Sequence, residues 1–176
     1  MLSLIRLGKL AINGSKEVLM EIEKMAKRRF LPIIGSRKGQ VLVNTVCKVK
    51  PKRVLEVGTL IGYSTILIGR ELEDDCQLIT IEIDEDEAKM AEENLRKAGL
   101  SRIVDVVIGD AIKVIPNLKG KFGVVFIDAE KSEYLDYLKL VEDKLHKGSV
   151  LVADHAGIFA DQMADFLEMK TLAINF

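Results

Sequence analysis

From residue 53 onward the chain alternates short runs of apolar, β-branched residues with longer amphipathic stretches, and no other feature constrains the fold as tightly. RVLEV at 53–57, QLITIE at 77–82, IVDVVI at 103–108, FGVVFI at 122–127 and SVLVA at 149–153 read as strands. Their nearly unbroken apolar character means burial on both faces, which is the mark of a parallel sheet covered by helices. The stretches between them predict helices over 62–72, 84–98, 110–115, 132–144 and 158–168, with Gly99 closing the second of these as a C-terminal cap. A last apolar piece, TLAINF, reads as a sixth strand. Strands alternating with helices give an α/β fold with a mostly parallel, doubly wound sheet.

Upstream of the alternation, Val18, Leu19, Ile22, Met25 and Ala26 recur at helical spacing and predict a helix over 15–30, ended by Pro32. A second helix is predicted over 36–49, stopped before Pro51. These extra N-terminal helices, residues 1–50, read as an appendage to a core of residues 51–176. The two form one domain, since 176 residues suit a single hydrophobic core.

The start, MLSLIRLGKLAINGSKE, carries Arg6 and Lys9 within its apolar stretch and reads as an amphipathic helix rather than a signal peptide. No apolar run reaches the ~18 residues of a membrane span. Cys47 and Cys76 lie far apart without ligand-like spacing, so both are expected as buried thiols in a reducing cytoplasm. Charge is divided unevenly: residues 1–53 hold 13 Lys/Arg against 3 Asp/Glu, and the remainder holds 13 against 24. Either the basic helices dock on an acidic body or second subunit, or they form a surface for an anionic substrate such as RNA or a CoA ester. Aromatics are only 5% of a chain that is 48% apolar. Amphipathic faces before residue 50 are therefore expected to bury in a partner, most simply in a homodimer.

In doubly wound sheets a ligand sits outside the carboxyl ends of the strands, at the switch point beside the first strand. Each strand end here presents a carboxylate: Glu56 with Gly58, Glu82 with Asp84, Gly109 with Asp110, Asp128, and Asp154 with His155. Like charges brought together without compensation cost stability, so the crevice is expected to hold cations, organic or metallic. The turn VLEVGTLIGYSTI departs from the dinucleotide fingerprint, because Leu60 and Tyr63 stand where its second and third glycines belong. S-adenosylmethionine meets these demands. It carries an ammonium, a sulfonium, two ribose hydroxyls and an adenine, but no phosphate. Glu56 would sit near the ammonium, partly through water. Gly58 would let the backbone pass close to the methionine part. Glu82, 24 residues after Gly58, would accept the ribose hydroxyls, and Asp110 the adenine amino group. The same ribose carboxylate would serve NAD, so an oxidoreductase is the rival reading at this point.

From about Ile33 to Gly157 the sequence resembles the metal-dependent O-methyltransferases of the catechol and caffeoyl-CoA type, which include bacterial enzymes acting on hydroxyuridine in tRNA. KGQ at 38–40, EVGTLIGYS at 56–64, Glu82, GDA at 109–111 and FIDAEKSEY at 126–134 follow the family's order and spacing. The resemblance implies a Rossmann-like class I methyltransferase fold. It places Glu56, Gly58, Thr59, Gly62, Tyr63 and Ser64 along the methionine part of S-adenosylmethionine, with Ile34 touching the cofactor from the N-terminal side. It places Glu82 at the ribose, Asp110 and Ala111 at the adenine, Ile83 and Gly109 among the other cofactor-binding residues, and Asp128 beside cofactor and metal. It makes Lys131 the general base. Asp128, Asp154 and His155 become candidate ligands of a divalent cation, Mg²⁺ or Mn²⁺.

His155 stands where the family usually has Asn, and imidazole suits Mn²⁺, Fe²⁺, Ni²⁺ or Zn²⁺ better than Mg²⁺. The family's further, antiparallel strand is not represented before Phe176, and Met169 to Thr171 leave almost no loop between the last helix and strand. The implied activity is methyl transfer to a hydroxyl of a catechol-like small molecule in the cytoplasm. The rivals are a tRNA-modifying methyltransferase, an NAD-dependent oxidoreductase and a non-catalytic cofactor-binding protein. Tyr134 and Tyr137 are expected to pack rather than catalyse.

Overall fold

The computed structural model describes residues 2–153 and 172–175, and of residues 2–13, 131 and 172–175 the backbone alone. A single helix, α1 (Leu2–Arg29), replaces the two N-terminal helical readings. It stops at Phe30, whose left-handed backbone (φ 54°) turns the chain before Pro32 is reached. Helix α2 (Gly35–Val49) follows, closed by a left-handed Lys50.

The alternating part then runs β1 (Arg53–Val57), α3 (Tyr63–Gly69), β2 (Gln77–Glu82), α4 (Glu85–Lys97), β3 (Val104–Ile108), α5 (Ala111–Val114), β4 (Phe122–Ile127), α6 (Tyr134–Glu142), β5 (Leu145–Ala153) and β6 (Leu172–Asn175). Short 3-10 turns at Ile115–Asn117 and Lys131–Glu133 extend α5 and precede α6. The sheet has the order β3-β2-β1-β4-β5-β6, with every neighbouring pair parallel. The winding reverses between β1 and β4, which fixes the switch point there.

Strand parity divides the core. Val54, Leu78, Val124, Phe126 and Val152 face one layer with α1, α2, α3 and the end of α4. Leu55, Val57, Ile81, Val125 and Ile127 face the other with α5 and α6. The continuous apolar runs follow from this two-sided burial. Helix α4 opens with Asp84, whose carboxylate accepts the backbone N–H groups of Asp86 and Glu87. It closes in a Schellman motif: Leu100 N–H returns to Leu95 O and Gly99 N–H to Arg96 O, around the left-handed Gly99.

Several expectations need correction. Helix 62–72 is only Tyr63–Gly69, and helix 132–144 is only Tyr134–Glu142. Strand 149–153 begins at Leu145, which pairs with Phe122 and is buried. An irregularity in the β4–β5 ladder at Phe122/Val124 and a left-handed Gly148 hide that early start behind polar residues. Cys76 is buried as expected, but Cys47 lies exposed on α2, its thiol 3.4 Å from Glu71 Oε2. The helix expected at 158–168 and the tight joint at 169–171 lie outside the described residues. Among the described residues no helix is long and apolar enough to cross a membrane.

Candidate active site

A cavity of about 1030 Å³ opens at the carboxyl ends of β1 to β4. Pro32, Ile33, Ile34 and Lys38 wall one side. The turn after β1 contributes Gly58, Thr59 and Leu60, and the start of α3 adds Tyr63 and Ser64. Ile81, Glu82, Ile83 and Glu87 come from β2 and the helix after it. Gly109, Asp110 and Ala111 follow β3, and Asp128, Ala129, Glu130, Glu133 and Tyr137 follow β4.

The turn is shaped by three left-handed residues, Gly58 (φ 96°), Leu60 (φ 50°) and Gly62 (φ 86°). Gly58 has no room for a side chain, because the chain passes directly against Asp128. Glu82 is buried, and its carboxylate accepts four backbone N–H groups: Thr59 (3.1 Å) and Leu60 (2.7 Å) on Oε2, Ile83 (2.8 Å) and Asp84 (3.0 Å) on Oε1. Asp110 caps α5 through Ile112 N–H and pairs with Lys113 at 3.0 Å, which holds its carboxyl below the usual range. Burial and the negative charges of Glu82 and Asp84 push Glu87 upward.

Of the residues singled out from sequence, Ile34, Gly58, Thr59, Tyr63, Ser64, Glu82, Ile83, Gly109, Asp110, Ala111 and Asp128 line this one cavity. Glu56 and Gly62 do not. Gly62 packs against Ala91 of α4. Glu56 is fully buried behind the turn, with Thr65 donating its hydroxyl to Oε2 at 2.6 Å and Oε1 lacking a partner. Desolvation raises its carboxyl to about 7 against the pull of the Ser64, Thr65 and Thr80 hydroxyls, and the charge of Asp128 adds to the rise. The side chain of Lys131, and Asp154 and His155 altogether, lie outside what the structure describes. Among the described residues no three side chains cluster as a metal site.

Sequence reasoning missed Lys38, Leu60, Glu87, Glu130, Glu133 and Tyr137 as lining residues. Tyr134 is a packing residue as expected, buried with its hydroxyl on Ile127 O at 2.8 Å. Tyr137 combines both roles: its ring is buried, yet it borders the cavity and its hydroxyl donates to Glu133. Helical periodicity marks its buried face but does not show that the face borders a cavity.

Tyr63 also fixes the N-terminal helix to the site, its hydroxyl donating to Glu23 Oε1 of α1 at 2.6 Å. The basic end of α1, with exposed Lys24, Lys27, Arg28 and Arg29, leads straight into the Pro32–Ile34 wall. Among the N-terminal cations, Lys52 does pair with the acidic body, at Glu73 and Asp75.

A family profile described as O-methyltransferase matches residues 11–170. Catechol O-methyltransferase B of Danio rerio is 38% identical over 142 residues, which cover 77% of this chain and 53% of that protein. Catechol O-methyltransferase of Sus scrofa is 37% identical over 141 residues, covering 76% of this chain and 75% of that one. Among solved structures, the O-methyltransferase TomG of Streptomyces achromogenes, in complex with SAM, superposes with a TM-score of 0.75 at 28% identity. That match covers 85% of this chain and 69% of TomG. The chain thus spans from about half to three quarters of the length of these relatives.

Proposed function

The chain belongs to the O-methyltransferase family, and we propose on that footing that it transfers the methyl group of S-adenosylmethionine to a hydroxyl of a catechol-like small molecule. The observation that carries this reading is the cavity itself, which brings eleven of the expected residues to one switch point. Among the described residues its lining includes Glu82, Glu87, Asp110, Asp128, Glu130 and Glu133 against one lining cation, Lys38, with Lys113 paired to Asp110 from outside the lining. That balance favours a cationic ligand over a pyrophosphate. The turn's amides point the same way: Thr59 and Leu60 spend their N–H groups on Glu82 and offer none to a phosphate. Both features weigh against an NAD-dependent oxidoreductase.

In this reading Ser64, Tyr63 and Ile34 hold the methionine end. Glu82 takes the ribose edge, and Ile83, Gly109, Asp110 and Ala111 the adenine. Transfer is an in-line displacement in which the acceptor oxygen bonds to carbon as the carbon–sulfur bond breaks. Alignment alone can supply ~7–11 kcal/mol of such a barrier. Lys131 would take the acceptor's proton.

A divalent cation would be held through Asp128 with Asp154 and His155. When bound, it would acidify and orient two neighbouring hydroxyls of the acceptor. We take the protein to be cytoplasmic and dimeric.

The test is transfer of labelled methyl from S-adenosylmethionine to catechol with Mg²⁺ or Mn²⁺. Labelled product that disappears with EDTA supports the whole reading. Product that persists in EDTA removes the metal from it, and cofactor binding without transfer to any vicinal diol favours a non-catalytic binder. A second reading, a tRNA hydroxyuridine acceptor, is favoured by the exposed cations at the end of α1. It predicts RNA binding that weakens steeply with salt.

A further inference from the structure

We infer that Glu82 is the clamp that holds the glycine-rich turn in its cavity-forming shape before any ligand arrives, in addition to facing the ribose. Leu60 has no excuse for its backbone. Its two left-handed neighbours in the turn are glycines, whereas Leu60 carries a β-carbon at φ 50° and incurs the steric penalty that glycine avoids. Something must hold it there, and the shortest of the four bonds to Glu82 is the one from Leu60 N–H, at 2.7 Å.

The same oxygen takes Thr59 N–H, while the other oxygen takes Ile83 and Asp84 N–H, so one carboxylate ties the turn after β1 to the turn after β2. The bonds are charge-assisted and the residue is only 7% exposed, conditions under which such bonds hold most strongly. The turn has other ties: Gly62 N–H closes a β-turn on Thr59 O at 2.9 Å around Leu60 and Ile61, Asn94 Nδ2 donates to Ile61 O at 2.9 Å, and the Thr59 hydroxyl meets Thr80 at 2.6 Å. Leu60's own N–H is held by Glu82.

Glu82 is therefore a positioning residue as well as a contact. A glutamine there would turn one acceptor into an NH₂ donor facing backbone donors. An aspartate would keep the charge on a shorter arm.

The clamp is a property of the ligand-free chain; only its consequence for affinity rests on the methyltransferase reading. The experiment compares wild type, Glu82→Gln, Glu82→Asp, Leu60→Gly and the double variant Glu82→Gln/Leu60→Gly. Amide hydrogen exchange is read without ligand, and S-adenosylhomocysteine binding by calorimetry. The clamp predicts that exchange at Thr59 and Leu60 accelerates about tenfold or more in the Glu82 variants, while amides of Val124–Phe126 in β4 stay protected. It also predicts that Leu60→Gly restores part of the affinity lost in Glu82→Gln but gives no gain in wild type.

Unchanged exchange at Thr59 and Leu60 in whichever Glu82 variant folds overturns the inference. So does an equal effect of Leu60→Gly on affinity in both backgrounds, since a simple ribose contact would be additive with it. If wild type itself binds no S-adenosylhomocysteine, the cofactor reading fails and the exchange result alone decides the clamp.

Discussion

A β-carbon added to Gly58 would fall 2.1 Å from the carbonyl oxygen of Asp128 and 2.8 Å from its carbonyl carbon. The first strand's turn and the fourth strand's end are thus in backbone contact, stitched further by Asp128 N–H on Val57 O at 2.9 Å. The residue that presents the candidate metal carboxylate is positioned by the absence of a side chain elsewhere.

Gly58→Ala is accordingly expected to destabilise the fold by about 3 kcal/mol, because a left-handed φ and a backbone clash act together. It should also displace Asp128. Urea denaturation measures the first effect, and loss of S-adenosylhomocysteine binding the second. A variant as stable as wild type would show that the two strand ends are free to separate.

Glu56 makes stability depend on pH. Its folded carboxyl lies near 7, raised from the ordinary 4.5 chiefly by burial. The folded state then binds more protons than the unfolded state between those values, so stability is full below about pH 4.5 and falls as pH rises through 7. Glu56→Gln removes the titration. The variant should gain on wild type by on the order of 3 kcal/mol at pH 8 and by little at pH 5. Thermal melts of both proteins across pH 5–8 measure the difference, and parallel curves would contradict the assignment.

Tyr63→Phe deletes the hydroxyl that joins α3 to Glu23 of α1. A bond to a charged partner is worth about 1.5–3 kcal/mol, and the loss should appear as loosening of α1 rather than of the sheet. Trypsin should cut earlier at Lys24, Lys27, Arg28 or Arg29, with β-strand amides still protected. Unchanged cleavage would mean that apolar contacts of Val18, Leu19, Ile22 and Ala26 alone seat the helix.

The parallel sheet was legible because five apolar runs, each closed by an acidic or glycine residue, leave little other way to bury both faces. The site was legible for the same reason: strand ends of a doubly wound sheet converge, and the motif residues sit on them. Glu56 was read into the crevice because it stands two residues before Gly58, yet strand parity turns it toward the helical layer with Val54 and Phe126. Leu145 was read as following a helix because His146 and Lys147 interrupt the apolar pattern. The clamp on Leu60 was out of reach of sequence, since four backbone donors on one carboxylate appear only once two turns are placed side by side. Lys38, Glu133 and Tyr137 were missed as site residues because each satisfies a helical pattern and only the assembled cavity shows what its face borders.

The central claim is the cofactor, and calorimetric titration with S-adenosylhomocysteine tests it most directly, using wild type and Glu82→Ala with and without Mg²⁺ or Mn²⁺. The account predicts saturable one-site binding to wild type that is lost in Glu82→Ala. No binding to wild type under any metal condition would contradict it.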